Sequence, residues 1–203
     1  MKKLAAALAT LVMLTGCIAP KTYVNPNFSH AKYSDINEVQ SKYDTLVEVE
    51  FQRNGDPLPA VDSEVRSHVE RTLRASGVIV PTTEETTFTI KVIVNNIADM
   101  TEAGAKGFGT GLTFGAIGTT VVDYYQIDIV YSDKDGKNIE KSYKHALHTT
   151  IGNEDAPFEN ALPTTPADGF GTVVEQVLLN FIADMQKDGK LTKFKHRTQI
   201  NMA

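Results

Sequence analysis

The side chains able to do covalent or metal chemistry are few: a single cysteine and five histidines in 203 residues. Cys17 follows Leu14-Thr15-Gly16, behind Lys2, Lys3 and an uncharged, largely apolar run from Leu4 to Leu14. A lone thiol makes no intramolecular disulfide, so an oxidising compartment gives this chain no covalent staple. His145 and His148 stand three apart in a segment that alternates like a strand. Residues three apart on a strand point to opposite faces, so these imidazoles do not share one metal. His30, His68 and His196 have no clustered partner. Gly152-Asn153-Glu154-Asp155 with Glu159 offers hard oxygen ligands without the spacing of a calcium loop. No serine sits in a GxSxG elbow, and no Ser–His–Asp pattern suggests a triad. The expectation is no catalytic residue, no metal and no cofactor.

The Leu4–Leu14 run is too short to cross a hydrocarbon core of roughly 30 Å as a helix, and its basic start and small-residue end are those of a secretory signal. Leu14-Thr15-Gly16-Cys17 resembles the bacterial lipoprotein signal. That resemblance implies cleavage before Cys17 and palmitate-type acylation of its sulfur and new amino group. Cys17 is then a lipidation site and membrane anchor. Ile18 stands where an Asp usually retains such proteins in the inner membrane, which implies outer-membrane sorting. More than one acyl chain meets the requirement for stable attachment.

Cleavage leaves 187 residues, enough for one domain. The lost segment holds two lysines and no acid, so the formal charge moves from −5 to −7. With no basic stripe and no interleaved aromatics, nucleic acid is not an expected partner. The one basic cluster is Lys187, Lys190, Lys193, Lys195, His196 and Arg197. It reads as the solvated end of the last helix, favoured by the macrodipole, ahead of a contact with lipid A phosphates.

Residues 17–43 carry Pro20, Pro26 and scattered aromatics Tyr23, Phe28, Tyr33 and Tyr43 without a period. They read as the lipidated N-terminus and a tether reaching at most about 85–95 Å, or as a segment whose aromatics fold back on the domain. The folded domain is expected over 44–190, followed by a basic tail, 191–203. Leu46–Gln52 alternates as a strand. Asn54-Gly55 marks a turn, and Asp56 with Pro57 suits a helix start. Val61, Val65, Val69 and Leu73 form a helical stripe stopped at Gly77. Strands follow over about 87–97, 121–132 and 139–149, the last two joined by the Asp133–Lys137 reversal. Thr165-Pro166-Ala167-Asp168 opens the strongest helix, with Phe170 to Met185 as a broad apolar stripe ended near Gly189.

The predicted fold class is α+β: a roughly four-stranded mixed sheet with two helices packed on one face, in the order β-α-β-β-β-α. The first crossover makes strand one parallel to its partner. The sheet's other face is mixed, with Thr87, Thr89, Lys91 and Asn95 beside Ile93 and Val122.

Gly107 to Gly118 holds five of the fourteen glycines, and no charge occurs from Gly107 through Val122. No GxGxxG or GK[ST] occurs there and a strand follows, which argues against a phosphate loop. Within the insertion 103–119 the alternatives are a connection packed over a sheet edge and an apolar flap. In the second, Phe108, Leu112, Phe114 and Ile117 touch lipid or a partner. The phenols of Tyr124, Tyr125, Tyr131 and Tyr143 are expected to serve cross-strand aromatic packing ahead of ligand stacking.

The lipoprotein signal, the string Val69-Glu70-Arg71-Thr72-Leu73-Arg74-Ala75-Ser76-Gly77-Val78 and the closing Asn180-Phe181-Ile182-Ala183-Asp184-Met185 together resemble YajG-type lipoproteins of Gram-negative bacteria. The layout also resembles LptE-like assembly lipoproteins, and the apolar insertion resembles TraT-like ones. The YajG resemblance transfers no active site. It implies a non-enzymatic outer-membrane lipoprotein, a binding or structural module facing the periplasm, with an envelope protein or lipopolysaccharide as partner. The alternatives are an LptE-like assembly factor or barrel plug and, further off, an envelope hydrolase.

Overall fold

Apolar–polar alternation and helical stripes set the main elements. The computed structural model describes residues 20–28, 30–98, 118–133 and 135–192. In chain order the elements are β1 (Lys21–Val24), β2 (Tyr43–Arg53), β3 (Asp56–Pro57), α1 (Asp62–Ala75), β4 (Ile79–Thr82), β5 (Thr89–Ala98), β6 (Thr119–Ser132), β7 (Asn138–Ile151) and α2 (Pro166–Lys187). The strands form one sheet in the order β1-β7-β6-β5-β2-β3, with β4 also on β2. The sheet therefore has seven strands where about four were expected. The three additions, β1, β3 and β4, are two to four residues long.

β2 runs parallel to β5 and β4, and every other pairing is antiparallel. Both helices cover one face, as expected. Val65, Val69 and Leu73 of α1 and Val173, Val177, Phe181 and Ile182 of α2 are fully or almost fully buried. They pack in one cluster with Val47 of β2, Ile90, Val92 and Val94 of β5, and Ile127 and Ile129 of β6. Each such side chain contributes about 1.5–3 kcal/mol by leaving water.

The expected helix start at Asp56-Pro57 is corrected. Asn54 and Gly55 take φ of 53° and 87°, and β3 folds back on Gln52 and Arg53. Two left-handed residues in sequence make the tight hairpin that Asn-Gly favours. A 3-10 turn over Pro59–Val61 follows, and α1 begins at Asp62. At α2 the expected cap is present: the Thr165 hydroxyl oxygen accepts from the Asp168 N–H at 3.1 Å. The two helices and the sheet converge on Phe170, whose ring lies 6.1 Å from Phe51, 5.5 Å from Tyr125 and 5.8 Å from His68.

Between β4 and β3 the outer edge of β2 meets side chains of α1. The Asp62 carboxylate accepts from the Phe51 N–H at 2.7 Å, and the Arg66 guanidinium donates to the Val47 carbonyl at 2.6 Å. Backbone groups at a sheet edge must find partners, and here charged side chains supply them.

Gly169 lets α2 approach β1. A Cβ there would lie 3.0 Å from Thr22 Cγ2 and 3.3 Å from Leu147 Cδ2 and Thr164 Cγ2. Gly169→Val is expected to cost about 1–3 kcal/mol by overpacking. Faster hydrogen exchange at the Thr22 amide, with the α1 amides little changed, would show that β1 is what yields.

Beyond α2, the expected basic tail begins folded. Leu191 is buried, and the Thr192 carbonyl accepts from the Tyr43 hydroxyl at 3.0 Å. Lys187 pairs with Asp184 and Lys190 with Asp133, so two of the six clustered cations have acidic partners. Residues 193–203 lie outside the described residues.

Candidate functional site

Cys17, Phe108, Leu112, Phe114 and Ile117 lie outside the described residues. What the structure shows is the chain immediately beside them. Only Ile18, Ala19 and Pro20 separate Cys17 from β1. Of the two alternatives for 17–43, residues 20–43 follow the second: they lie on the domain, and the folded unit begins well before residue 44.

β1 inserts between β7 and residue 164. Thr22 exchanges backbone hydrogen bonds of 3.0 and 2.8 Å with Thr164, and its hydroxyl lies 3.0 Å from that of Thr149. Thr22 is fully buried and Tyr23 almost so. The chain then straps across α2. The Asn180 side-chain oxygen accepts from the Ala31 N–H at 2.6 Å, and the Tyr33 hydroxyl donates to Glu175 at 3.0 Å. The Gln186 amide closes a two-way bond with the Asn37 backbone, accepting at 2.8 Å and donating at 2.9 Å.

A cleft of about 470 Å³ remains between this strap and α2, lined in part by His30, Asp35, Asn180, Asp184 and Lys187. Asn180 is engaged by the strap, and Asp184 accepts from the Tyr143 hydroxyl at 3.0 Å while pairing with Lys187. The cleft is the seam where the strap is held.

His145 and His148 do point to opposite faces, and both hold the N-terminal segment. His145 is 2% exposed and stacks on Phe28 at 4.9 Å. Its Nδ1 lies 2.9 Å from the Ala146 nitrogen and 3.3 Å from the Ala146 carbonyl oxygen, and its Nε2 lies 2.7 Å from Gln176 Oε1. His148 Nε2 lies 3.1 Å from the Asn25 amide, and its ring meets Phe158 edge-on at 4.7 Å.

Burial holds His145, His148 and His68 below the usual histidine value, with nearby His30 and Arg71 adding to the shift at His145 and His68 respectively. The unfolded chain then binds these protons more readily than the folded one. Stability is complete above the unfolded value of about 6.5 and falls as pH drops below it. Melting temperature is expected to decline from pH 7 to pH 5, and His145→Gln should flatten part of that slope. A slope unchanged by the substitution would remove His145 from the account.

The tyrosines divide by face. Tyr125 packs on Phe170, and Tyr131 stacks on Phe88 at 6.1 Å. Burial raises the phenols of Tyr125, Tyr131 and Tyr143 above their ordinary range, so they stay protonated. Tyr124 faces the other way, 48% exposed. It sits across from Ile97, itself 40% exposed. The expected cross-strand aromatic packing is thus mainly packing onto α2 and Phe88.

One rung of the sheet joins the strand that follows Cys17 to the strand that follows the insertion. Lys21 is opposite Thr150 and Thr150 is opposite Thr120, so the start of β1 and the start of β6 are two strand spacings, about 10 Å, apart. Gly118, with φ of 73°, ends the insertion there against Glu154. Among the described residues no group of three or more His, Cys, Asp or Glu could hold a metal ion, and no helix is long and apolar enough to cross a membrane. β1 was the functional element missed in the sequence. Its only signal is the short β-favouring run Thr22-Tyr23-Val24.

No family model and no curated protein matches the chain. Solved structures do resemble it. One is a minor lipoprotein from Acinetobacter baumannii, 13% identical, with a TM-score of 0.37 over 72% of this chain and 93% of that one. A second is a neuraminyllactose-binding hemagglutinin homolog from Helicobacter pylori, 10% identical, with a TM-score of 0.41 over 81% and 90%. A third is a protein described as a lipoprotein from Caulobacter crescentus, 11% identical, with a TM-score of 0.35 over 71% and 92%. With TM-scores below 0.5, these likenesses assign the chain neither a family nor a role.

Proposed function

We propose that the chain is a YajG-type lipoprotein of the outer membrane, anchored by acyl chains on Cys17, with its domain on the periplasmic side as a non-enzymatic binding or structural module. The observation that carries this reading is the spacing Leu14-Thr15-Gly16-Cys17 behind a short basic and apolar leader, with Ile18 following the cysteine. The two histidines of β7 support it: His145 stacks on Phe28 and His148 meets Asn25, so both hold the N-terminal segment.

The test is Cys17→Ser in cells fed a labelled fatty acid. Label in the protein is expected to fall more than tenfold, the signal segment to stay uncleaved by the lipoprotein peptidase, and the domain's melting temperature to stay within about 2 °C of the parent, since residue 17 precedes every described core contact. Undiminished label in the variant would end the anchor assignment.

A further inference from the structure

If Cys17 is the acylated terminus, the lipid is tied almost directly to the sheet. Four residue steps from Cys17 to Lys21 span at most about 14 Å. Lys21 is held by its ladder to Thr150, so this end of β1 cannot swing away from the membrane without unzipping from β7. The same end carries the starts of β6 and α2, because Thr119 pairs with Ile151 and Thr22 with Thr164. The opposite end carries the β6–β7 turn and the end of α2, joined by the Lys190–Asp133 and Lys141–Asp188 pairs. The fourteen residues of β6 separate the two ends by about 45 Å.

Exposed apolar side chains are not spread evenly between these ends. Six large ones are exposed among the described residues, and four lie in the anchor-proximal half. Val121 is next to the Lys21–Thr150–Thr120 rung. Ile97 and Tyr124 face each other across β5 and β6. Leu162 precedes Thr164 by two residues. The other two lie near mid-sheet: Leu58 donates its N–H to Phe51, which is level with Val94 and Ile127, and Tyr33 bonds to Glu175 near the middle of α2. Apolar side chains gathered around a lipid attachment point are what a bilayer interface accommodates, and tyrosine suits its apolar and wet sides alike. The charges nearby select the lipid. Glu154, Asp155 and Glu159 are exposed in the loop leaving β7 at this end and outnumber the exposed Lys21, which disfavours an anionic headgroup.

We infer that the anchor-proximal end of the sheet, around Lys21 and Val121, rests in the zwitterionic headgroup layer of the membrane that holds the acyl chains, so that the domain stands on its sheet end with α2 pointing away from the lipid. This rests on acylation of Cys17, which the intact mass of the purified protein decides separately.

The experiment uses the acylated full chain in phosphatidylcholine vesicles, with a bimane label on Val121→Cys or, at the far turn, on Lys137→Cys. Bilayer-borne nitroxide lipids quench the label by contact, and the unacylated Cys17→Ser versions give the baseline. At least threefold stronger quenching at 121 than at 137 is expected, with no gain from added anionic lipid. Equal quenching at the two positions in acylated protein would overturn the orientation. So would a label at 121 that is blue-shifted but unquenched, which would mean that the chain's own segment or a protein covers it. A mass without acyl chains would instead remove the anchor reading itself.

Discussion

A domain trimmed to begin at Asp44 is expected to be less stable than one beginning at Pro20 by on the order of 5 kcal/mol, a third or more of the roughly 5–15 kcal/mol that holds a native domain together. Trimming removes β1, and with it Tyr23, 3% exposed, whose burial alone is worth about 1.5–3 kcal/mol. It also removes the Thr22–Thr164 pair and the two-way bond between Asn37 and Gln186, at about 1 kcal/mol for each hydrogen bond. The loss does not stop there: the edge of β7 and the ring of His145 are left uncovered. Urea unfolding of the two soluble forms gives the comparison. Midpoints that coincide would restore residues 20–43 to the status of a tether.

Phe170→Ala is expected to destabilise the full domain by about 3–5 kcal/mol, the range for deleting a buried aromatic ring. In a chain of this length that is a fall of roughly 8–15 °C in melting temperature. Phe170 touches ring systems from α1, β2 and β6 at once, so no single neighbour can move in to fill the space. Phe170→Leu keeps most of the volume and should recover more than half of the loss. If the alanine variant melts within about 3 °C of the parent, the junction of helices and sheet is more plastic than its geometry implies.

The long elements were legible because each carries enough residues to show a period. β2, β5, β6 and β7 are each ten residues long or more, and α2 repeats its stripe over the sixteen residues from Phe170 to Met185. The short strands were not, and the reason differs in each. β1 has four residues and pairs with a strand more than a hundred positions away, which no local pattern encodes. β4 contains Pro81, normally a mark against a strand, but it pairs on the outer edge of β2, where an absent N–H is tolerated. Asn54-Gly55 signals its turn locally, and the turn is there. Asp56-Pro57 fits a helix start by local capping preference, but its pairing with Gln52 and Arg53 in the hairpin overrides that preference. The strap was illegible for another reason. It is held by side chains of α2, Asn180 and Gln186, reaching backbone groups of an irregular segment, and such contacts leave no periodic trace.

The charged caps on β2 bear on how copies of this protein can meet. On the proposed acylation of Cys17, copies would share the plane of a membrane and meet more often, and an unpaired strand edge is then a template for lateral growth. Here Asp62 and Arg66 already occupy the Phe51 N–H and the Val47 carbonyl, while β3 and β4 close the flanking stretches. At the other side β1 is itself bridged to Thr164. The β2 rim is thus closed to joining edge to edge, whereas β1 covers only Leu147–Thr150 of the fourteen-residue β7. A second copy that adds a strand to this sheet therefore has one side to do it on, along residues 138–145 of β7, and a contact limited to one side closes as a pair instead of growing into a ribbon.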